Sequence, residues 1–185
     1  MTIFEYLAIA YSLIFSLAAV RLVAGLPHAL DRTRTYAVHV AHVGLLLFAI
    51  AALFWSQWSA RDVEWTFPKF LLQLAGPGTI YFLACTIVPD DPAAVQSWQQ
   101  YFFSIRRRYF AGLCVWALVL AVNATVFTGL PFLHPIRGVQ LGILAAGVLG
   151  LSTDRSAAHL SILVGAALLV ALATVLLYSA GPLAV

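Results

Sequence analysis

The sequence predicts an all-α membrane protein, a polytopic bundle of about six transmembrane helices with one short interfacial helix. Hydrophobic residues make up 63% of the 185 residues and charged residues only 9%, whereas a soluble domain carries roughly 25% charged residues. The charges gather in short segments between apolar runs, and the runs approach the ~20 residues that a helix needs to cross a bilayer. Residues 1–185 are therefore expected to form a single transmembrane helical domain without a soluble catalytic module.

Six apolar runs are the expected spans. They cover residues 3–25, 38–58, 68–88, 109–128, 136–151 and 157–179. The first run is expected to be a retained helix, because Glu5 precedes most of it and a secretory signal has a positive start and a shorter apolar core. The fifth run is the shortest of the six.

Three tryptophans lie around the connection between the second and third spans: Trp55, Trp58 and Trp65. Tryptophans at this depth form the usual interfacial belt. The run that begins at Trp55 and ends at Phe67 (WSQWSARDVEWTF) resembles a signature of an uncharacterised group of bacterial integral membrane proteins. The similarity extends over about residues 4–110. The resemblance implies a location in the bacterial inner membrane and no mechanism.

The third span contains Pro77 between two glycines. Proline removes one backbone hydrogen bond and clashes with the preceding turn, so a kink or a local break is expected here. Transporters use discontinuous helices to expose backbone groups to substrate. With Gln73, Tyr81 and Asn123 as further polar groups, Pro77 is a candidate for lining a pore or a ligand site. The alternative is an ordinary kink, with Asn123 bonded to a neighbouring helix.

Residues 92–107 are predicted to form a short helix in the cytoplasmic interface. Asp91 is a suitable N-cap before Pro92 at the first helical position, and apolar residues then recur at helical spacing. The segment ends in three arginines that are candidates for binding lipid headgroups or for docking: Arg106, Arg107 and Arg108. The alternative is a set of charges that only obeys the positive-inside rule.

The last two spans carry small residues at four-residue spacing. The stripe on the fifth span consists of Gly138, Gly142, Ala146 and Gly150. Small residues let helix backbones approach closely, which is a main source of helix association in lipid. The stripe is therefore a predicted helix-contact face, either within the chain or towards another copy or a different membrane subunit.

Three histidines form the sharpest chemical hypothesis. His39 and His42 are three residues apart and share a face of the second span, and His159 begins the sixth span. Cys85 and Cys114 are expected in the same leaflet. Imidazole and thiolate suit zinc or copper, and two imidazoles can hold a haem. The alternative is that the imidazoles bond to backbone carbonyls, since the spacing matches no strong metal motif.

The basic residues predict the orientation. Seven of the ten fall at one face of the six-span arrangement: Arg21, Arg32, Arg34, Arg106, Arg107, Arg108 and Arg155. Arg61, Lys69 and Arg137 fall at the other face. By the positive-inside rule the first face is cytoplasmic and both termini are periplasmic. The net charge of +3 suits anionic membrane lipids, and nucleic-acid binding is excluded because no basic domain is present.

Function is only loosely constrained. Nucleophile elbows, phosphate-binding loops and catalytic carboxylate pairs are absent, so no enzyme is expected. No carboxylate lies in mid-membrane, which argues against an ion-coupled pump. The first hypothesis is an accessory or structural subunit that binds another membrane protein, a pigment or lipid, as a homo-oligomer or in a larger membrane complex. The alternatives are a small channel or carrier for an ion or neutral molecule, and a membrane protein that binds haem or a transition metal.

Overall fold

A computed structural model describes residues 2–129 and 131–179, apart from the side chains of Ser59 and of residues 176–179. The described residues contain long helices and no strand, which confirms the predicted all-α bundle of about six spans. Each of the six helices is long and apolar enough to cross a membrane. They are α1 (Ile3–Ala29), α2 (Ala37–Ser56), α3 (Phe67–Ile87), α4 (Trp98–Thr128), α5 (Pro135–Ser152) and α6 (Ser156–Ser179).

Local sequence signals set several helix ends. Thr2 and Glu5 form a capping box at the start of α1, in which the Glu5 amide donates to Thr2 Oγ1 at 3.2 Å and the Thr2 amide donates to Glu5 Oε2 at 2.9 Å. Gly129 ends α4 with a φ of +58°, a left-handed conformation that residues with a Cβ adopt only with strain. The start of α1 and the end of α4 therefore lie where the sequence provides a cap.

The interfacial helix expected over residues 92–107 is not a separate element. Asp91 caps Pro92–Ala94 as expected, but this segment is a single 3-10 turn. The chain is then extended until Ser97, whose hydroxyl accepts from the Gln100 amide at 3.4 Å. The helix that starts at Trp98 continues into the fourth span, because no proline interrupts it.

Pro77 does not break α3. The helix is continuous from Phe67 to Ile87, and both Gly76 and Pro77 are buried within the bundle. A single proline removes one hydrogen bond of the helix, and in membrane helices neighbouring groups commonly compensate for that loss. The expected local break is therefore absent.

One continuous apolar cluster connects the bundle, and all six helices contribute to it. α4 contacts α3 and α5, α1 contacts α2 and α3, and α6 contacts α5 and α2. Phe102, Tyr109 and Phe110 of α4 are almost completely buried in this cluster. α4 is therefore the central helix against which the candidate site is built.

The α1–α2, α3–α4 and α5–α6 connections meet at one end of the bundle. Arg34 Nη1 donates to the carbonyl oxygen of Val95 at 2.9 Å, which joins the first connection to the second. Tyr36 Oη lies 2.9 Å from Ser156 Oγ, which joins the first connection to α6. The seven basic residues assigned above to one face lie at or near this end, which we call the Arg-rich end.

Candidate functional site

The three candidate histidines converge on one phenyl ring near the Arg-rich end. The ring centroids of His39, His42 and His159 lie 6.3, 5.5 and 5.4 Å from that of Phe102. Phe110, two turns further along α4, lies 5.8 Å from His42 and 5.3 Å from His159. The structure thus brings together the histidines that the sequence singled out, in what we call the histidine–aromatic cluster.

The histidine nitrogens are used unequally. His42 Nδ1 donates to the carbonyl oxygen of Val38 at 2.8 Å, and His159 Nε2 donates to that of Thr153 at 3.0 Å. Both ring nitrogens of His39, which is fully buried, have no hydrogen-bond partner among the described residues. A buried polar atom without a partner costs about 1–3 kcal/mol. The imidazole of His39 therefore lowers the stability of the folded protein at this position.

The cluster does not have the geometry of a metal site. In the described parts of the chain, no three histidine, cysteine, aspartate or glutamate side chains lie close enough together to hold a metal ion. The Sγ of Cys114 faces Gly147 of α5 instead. The His39 ring lies 4.6 Å from the Trp98 ring, centroid to centroid. As arranged, the imidazoles pack against aromatic rings, and those of His42 and His159 also bond to backbone carbonyls.

Arg106 lies inside the bundle, which corrects the expectation that it contacts lipid headgroups. Only 6% of its surface is exposed. Its Nη1 donates to the carbonyl oxygen of Thr153 and forms an ion pair with Asp154. Arg106 therefore ties α4 to the α5–α6 connection. Arg107 and Arg108 are exposed and remain candidates for headgroup contact.

Thr153 and Asp154 were not predicted from the sequence. Thr153 accepts a hydrogen bond from Arg106, and Asp154 forms an ion pair with it. The face of α4 contained a usable signal, because Trp98, Phe102 and Arg106 recur at four-residue spacing and so share one side of the helix. A guanidinium that is buried with this aromatic face needs hydrogen-bond acceptors within the protein, because burying an unpaired charge is strongly unfavourable. The short connection after α5 provides one carbonyl and one carboxylate at the required end of the bundle.

Two of the predicted pore-lining residues, Gln73 and Asn123, form hydrogen bonds within the chain. Gln73 is buried and its Nε2 donates to Gln57 Oε1 at 2.6 Å. Tyr81 is 40% exposed. The Asn123 side-chain amide donates to a carbonyl of its own helix, one turn earlier, at 2.8 Å. Neither of the two surface depressions described below is lined by these residues or by Pro77.

The small-residue stripe on α5 divides between two neighbouring helices. A methyl group at Gly142 would lie 2.5 Å from Cδ2 of Leu169 in α6, and one at Gly150 would overlap the Phe110 ring of α4. Gly138 is exposed, with no atom of another helix within 4 Å of such a methyl group. Of the two alternatives, packing within the chain therefore applies to Gly142 and Gly150.

A groove separates α5 from α6 on the side of the Arg-rich end. Its volume is about 580 Å³, and Ala146 is among the residues of segments 142–153 and 158–169 that line it. A second, shallower depression of about 380 Å³ lies between residues 94 and 104 and is lined by both polar and apolar groups. The groove between α5 and α6 is bordered mainly by apolar and small side chains, and its lining reaches Thr153 and Ala158 on either side of Arg155 in the α5–α6 connection.

The net charge of the protein resides at the Arg-rich end. Seven basic and four acidic residues give +3 there, and three basic and three acidic residues cancel at the opposite end. Three of the seven arginines form ion pairs, in the pairs Arg21–Asp90, Arg34–Asp31 and Arg106–Asp154. The other four are exposed and have no ion pair among the described residues: Arg32, Arg107, Arg108 and Arg155.

Asp31 organises the α1–α2 connection. The Thr33 hydroxyl and amide donate to Asp31 Oδ1 at 2.7 and 3.0 Å, and Arg34 Nε donates to Oδ2 at 3.0 Å. These hydrogen bonds, those from Thr33 first, hold the pKa of Asp31 below its usual value. The charged form of Asp31 therefore orients Arg34 towards the α3–α4 connection.

Comparison with known proteins assigns no family to this arrangement. No protein-family model matches the chain, and neither a curated protein nor a solved structure matches it.

Proposed function

We propose that the protein is a non-catalytic accessory subunit of a membrane complex and that α6 contacts the partner. The observation that carries this proposal is how little of α6 the rest of the chain covers. Each helix has one 18-residue stretch that is suited to span a membrane. In α6, 6% of the residues of that stretch are buried, whereas 50% are buried in the segment that contains α3. Because helices in a bilayer associate through close packing, the least covered helix gains most from a further partner.

The uncovered face of α6 is a regular apolar stripe. Its residues are all at least half exposed and recur every three or four positions: Leu160, Val164, Leu168, Leu172 and Val175. This spacing places them on one side of the helix, away from His159, which faces α4. The partner that fits the stripe is an apolar helix, from a second copy or from another membrane protein.

Polar side chains support a structural role rather than catalysis or transport. Gln73, Asn123 and Arg106 bond to groups within the chain. A haem, pigment or metal is not part of the proposal, because the three imidazoles are packed against aromatic rings.

We infer that the protein lies in the inner membrane of a bacterium with the Arg-rich end in the cytoplasm. The distribution of seven basic residues against three supports this orientation. The resemblance of the run from Trp55 to Phe67 supports the bacterial location. Both termini are then periplasmic.

Photo-crosslinking in native membranes tests the proposed contact. A benzophenone amino acid is placed at Leu168 of α6, which is 67% exposed, and as a control at Leu13 of α1, which is 62% exposed. We expect an adduct with a protein of defined mass at Leu168 and only lipid adducts at Leu13. Lipid adducts alone at both positions would contradict the proposal, and protein adducts at Leu13 alone would assign the contact to α1.

A further inference from the structure

We propose that the groove between α5 and α6 binds one acyl chain of an anionic phospholipid whose phosphate pairs with Arg155. This site goes beyond the proposed function and requires no protein partner. Three features of the groove carry the inference, namely its length, its lining and the charge at its mouth.

The groove is as long as one leaflet of a bilayer. It runs along α5 from Thr153 to Gly142, which is about 16 Å in a helix that rises 1.5 Å per residue. This is about half of the ~30 Å hydrocarbon core. At Gly142 the groove closes, because Leu169 of α6 lies against the glycine. A spanning helix requires a groove through both leaflets, whereas an acyl chain ends at the bilayer centre.

The groove walls suit a methylene chain. The small residues among them are Gly142, Ala145, Ala146, Ala158, Gly165 and Ala166. No atom of another helix lies within 4 Å of the position that a Cβ of Gly165 would occupy, so the space beside it is open. The hydroxyls of Ser152 and Ser161 donate to carbonyls of their own helices. They therefore need no polar ligand, and an apolar chain leaves neither of them without a partner.

Arg155 provides a charge at the mouth of the groove. It lies between Thr153 and Ala158, which both line the groove, and its exposed side chain has no ion pair or hydrogen bond within the described residues. The adjacent Asp154 is paired with Arg106 and does not neutralise it. A free guanidinium binds phosphate oxygens in a bidentate manner. The net charge of this end favours an anionic over a zwitterionic headgroup.

Native mass spectrometry of the protein released from bilayer discs tests the headgroup contact. The discs contain equal amounts of phosphatidylglycerol and phosphatidylcholine, and the wild type is expected to retain one phosphatidylglycerol in preference. Arg155→Ala should lower its retention about tenfold or more, because it removes the charge-assisted contact with the phosphate. Arg32→Ala removes an arginine that is also exposed but belongs to the α1–α2 connection, away from the groove, and it should leave retention unchanged.

A second pair of variants tests the acyl-chain contact. Gly165→Leu places a side chain in the groove at a position where a Cβ has open space, and it should abolish retention of phosphatidylglycerol. Gly138→Leu adds the same side chain at an exposed position outside the groove. Thermal unfolding of both variants checks that they fold. Equal retention of the two lipids by the wild type, undiminished retention by Gly165→Leu, or an equal loss in Gly138→Leu would overturn the proposal.

Discussion

Arg106 and His159 donate to the same carbonyl oxygen, that of Thr153. The two donors belong to α4 and α6, and the acceptor follows the last residue of α5. Carbonyl groups at the end of a helix have no partner within it. Two side chains thus satisfy an acceptor that would otherwise be unpaired, and in doing so they join three helices at one atom.

Arg106→Ala should destabilise the protein by about 2–3 kcal/mol, because it removes charge-assisted hydrogen bonds from a buried position. The thermal unfolding temperature in detergent micelles measures the effect. Arg107→Ala is the matched control, since Arg107 is exposed and its loss should change stability by less than about 0.5 kcal/mol. Equal losses in the two variants would refute the internal role of Arg106.

His39→Leu should leave stability unchanged or raise it by about 1 kcal/mol, since the variant removes two buried nitrogens that have no partner. His159→Leu should lower stability by about 1 kcal/mol, because it removes a donor to Thr153. Thermal unfolding compares the two variants. A bound metal or chromophore that purifies with the wild type and is lost in His39→Leu would instead restore the ligand hypothesis.

Gly150→Ala should destabilise the bundle by about 1–3 kcal/mol, because its methyl group would overlap the Phe110 ring. Gly138→Ala has open space around the added methyl group. As an alanine in a helix, it should be neutral or stabilising by up to about 1 kcal/mol. Unfolding temperatures that fall equally in both variants would show that the close contact of α5 with α4 is not the cause.

Acidification should release the α1–α2 connection. The pKa of Asp31 is held below its value in the unfolded chain, which is about 3.9. Its stabilising effect is therefore fully present above that value and disappears as the pH falls through the lower, folded-state pKa. The difference in unfolding temperature between wild type and Asp31→Asn should shrink over this range. A difference that is independent of pH would contradict the role assigned to the carboxylate.

The orientation can be checked with single cysteines at two exposed positions, Gln96 at the Arg-rich end and Thr66 at the opposite end. The background carries Cys85→Ala and Cys114→Ala. In intact bacterial cells, a membrane-impermeant maleimide should label the variant at position 66 and should reach position 96 only after the cells are opened. The reverse pattern would invert the orientation.

The sequence was sufficient to predict the spans, because apolar length and the placement of charges report the depth of a residue. It did not predict which way each side chain faces around its helix. Arg106, Arg107 and Arg108 are consecutive and equally basic, yet only Arg106 turns inwards. Gly142 and Gly150 belong to one stripe, yet they contact different helices. These differences depend on how the neighbouring helices are arranged, which the local pattern does not encode.

The candidate site was predicted only in part, because the sequence reports the depth of a residue but not the direction of its side chain. His39, His42 and His159 were assigned to a common depth, and the structure brings them together. Phe102 was not predicted to stand among them. Helical spacing continues from Trp98 through Phe102 to positions further along α4, and extending it would have indicated the aromatic face.

α4 is longer than the hydrocarbon core of a bilayer is thick. Its 31 residues extend about 46 Å, roughly 16 Å more than the hydrocarbon core. Because Arg106, Arg107 and Arg108 mark the Arg-rich end, we expect the turns of α4 that precede them to stand in the polar layer. Trp98 donates there to the carbonyl oxygen of His28. Within the lipid, the helices are held together by side-chain packing. The protruding part of α4 fixes which helices are neighbours through hydrogen bonds to the connections. A change of lipid or detergent then alters spacing within the bilayer and leaves the connectivity at the surface intact.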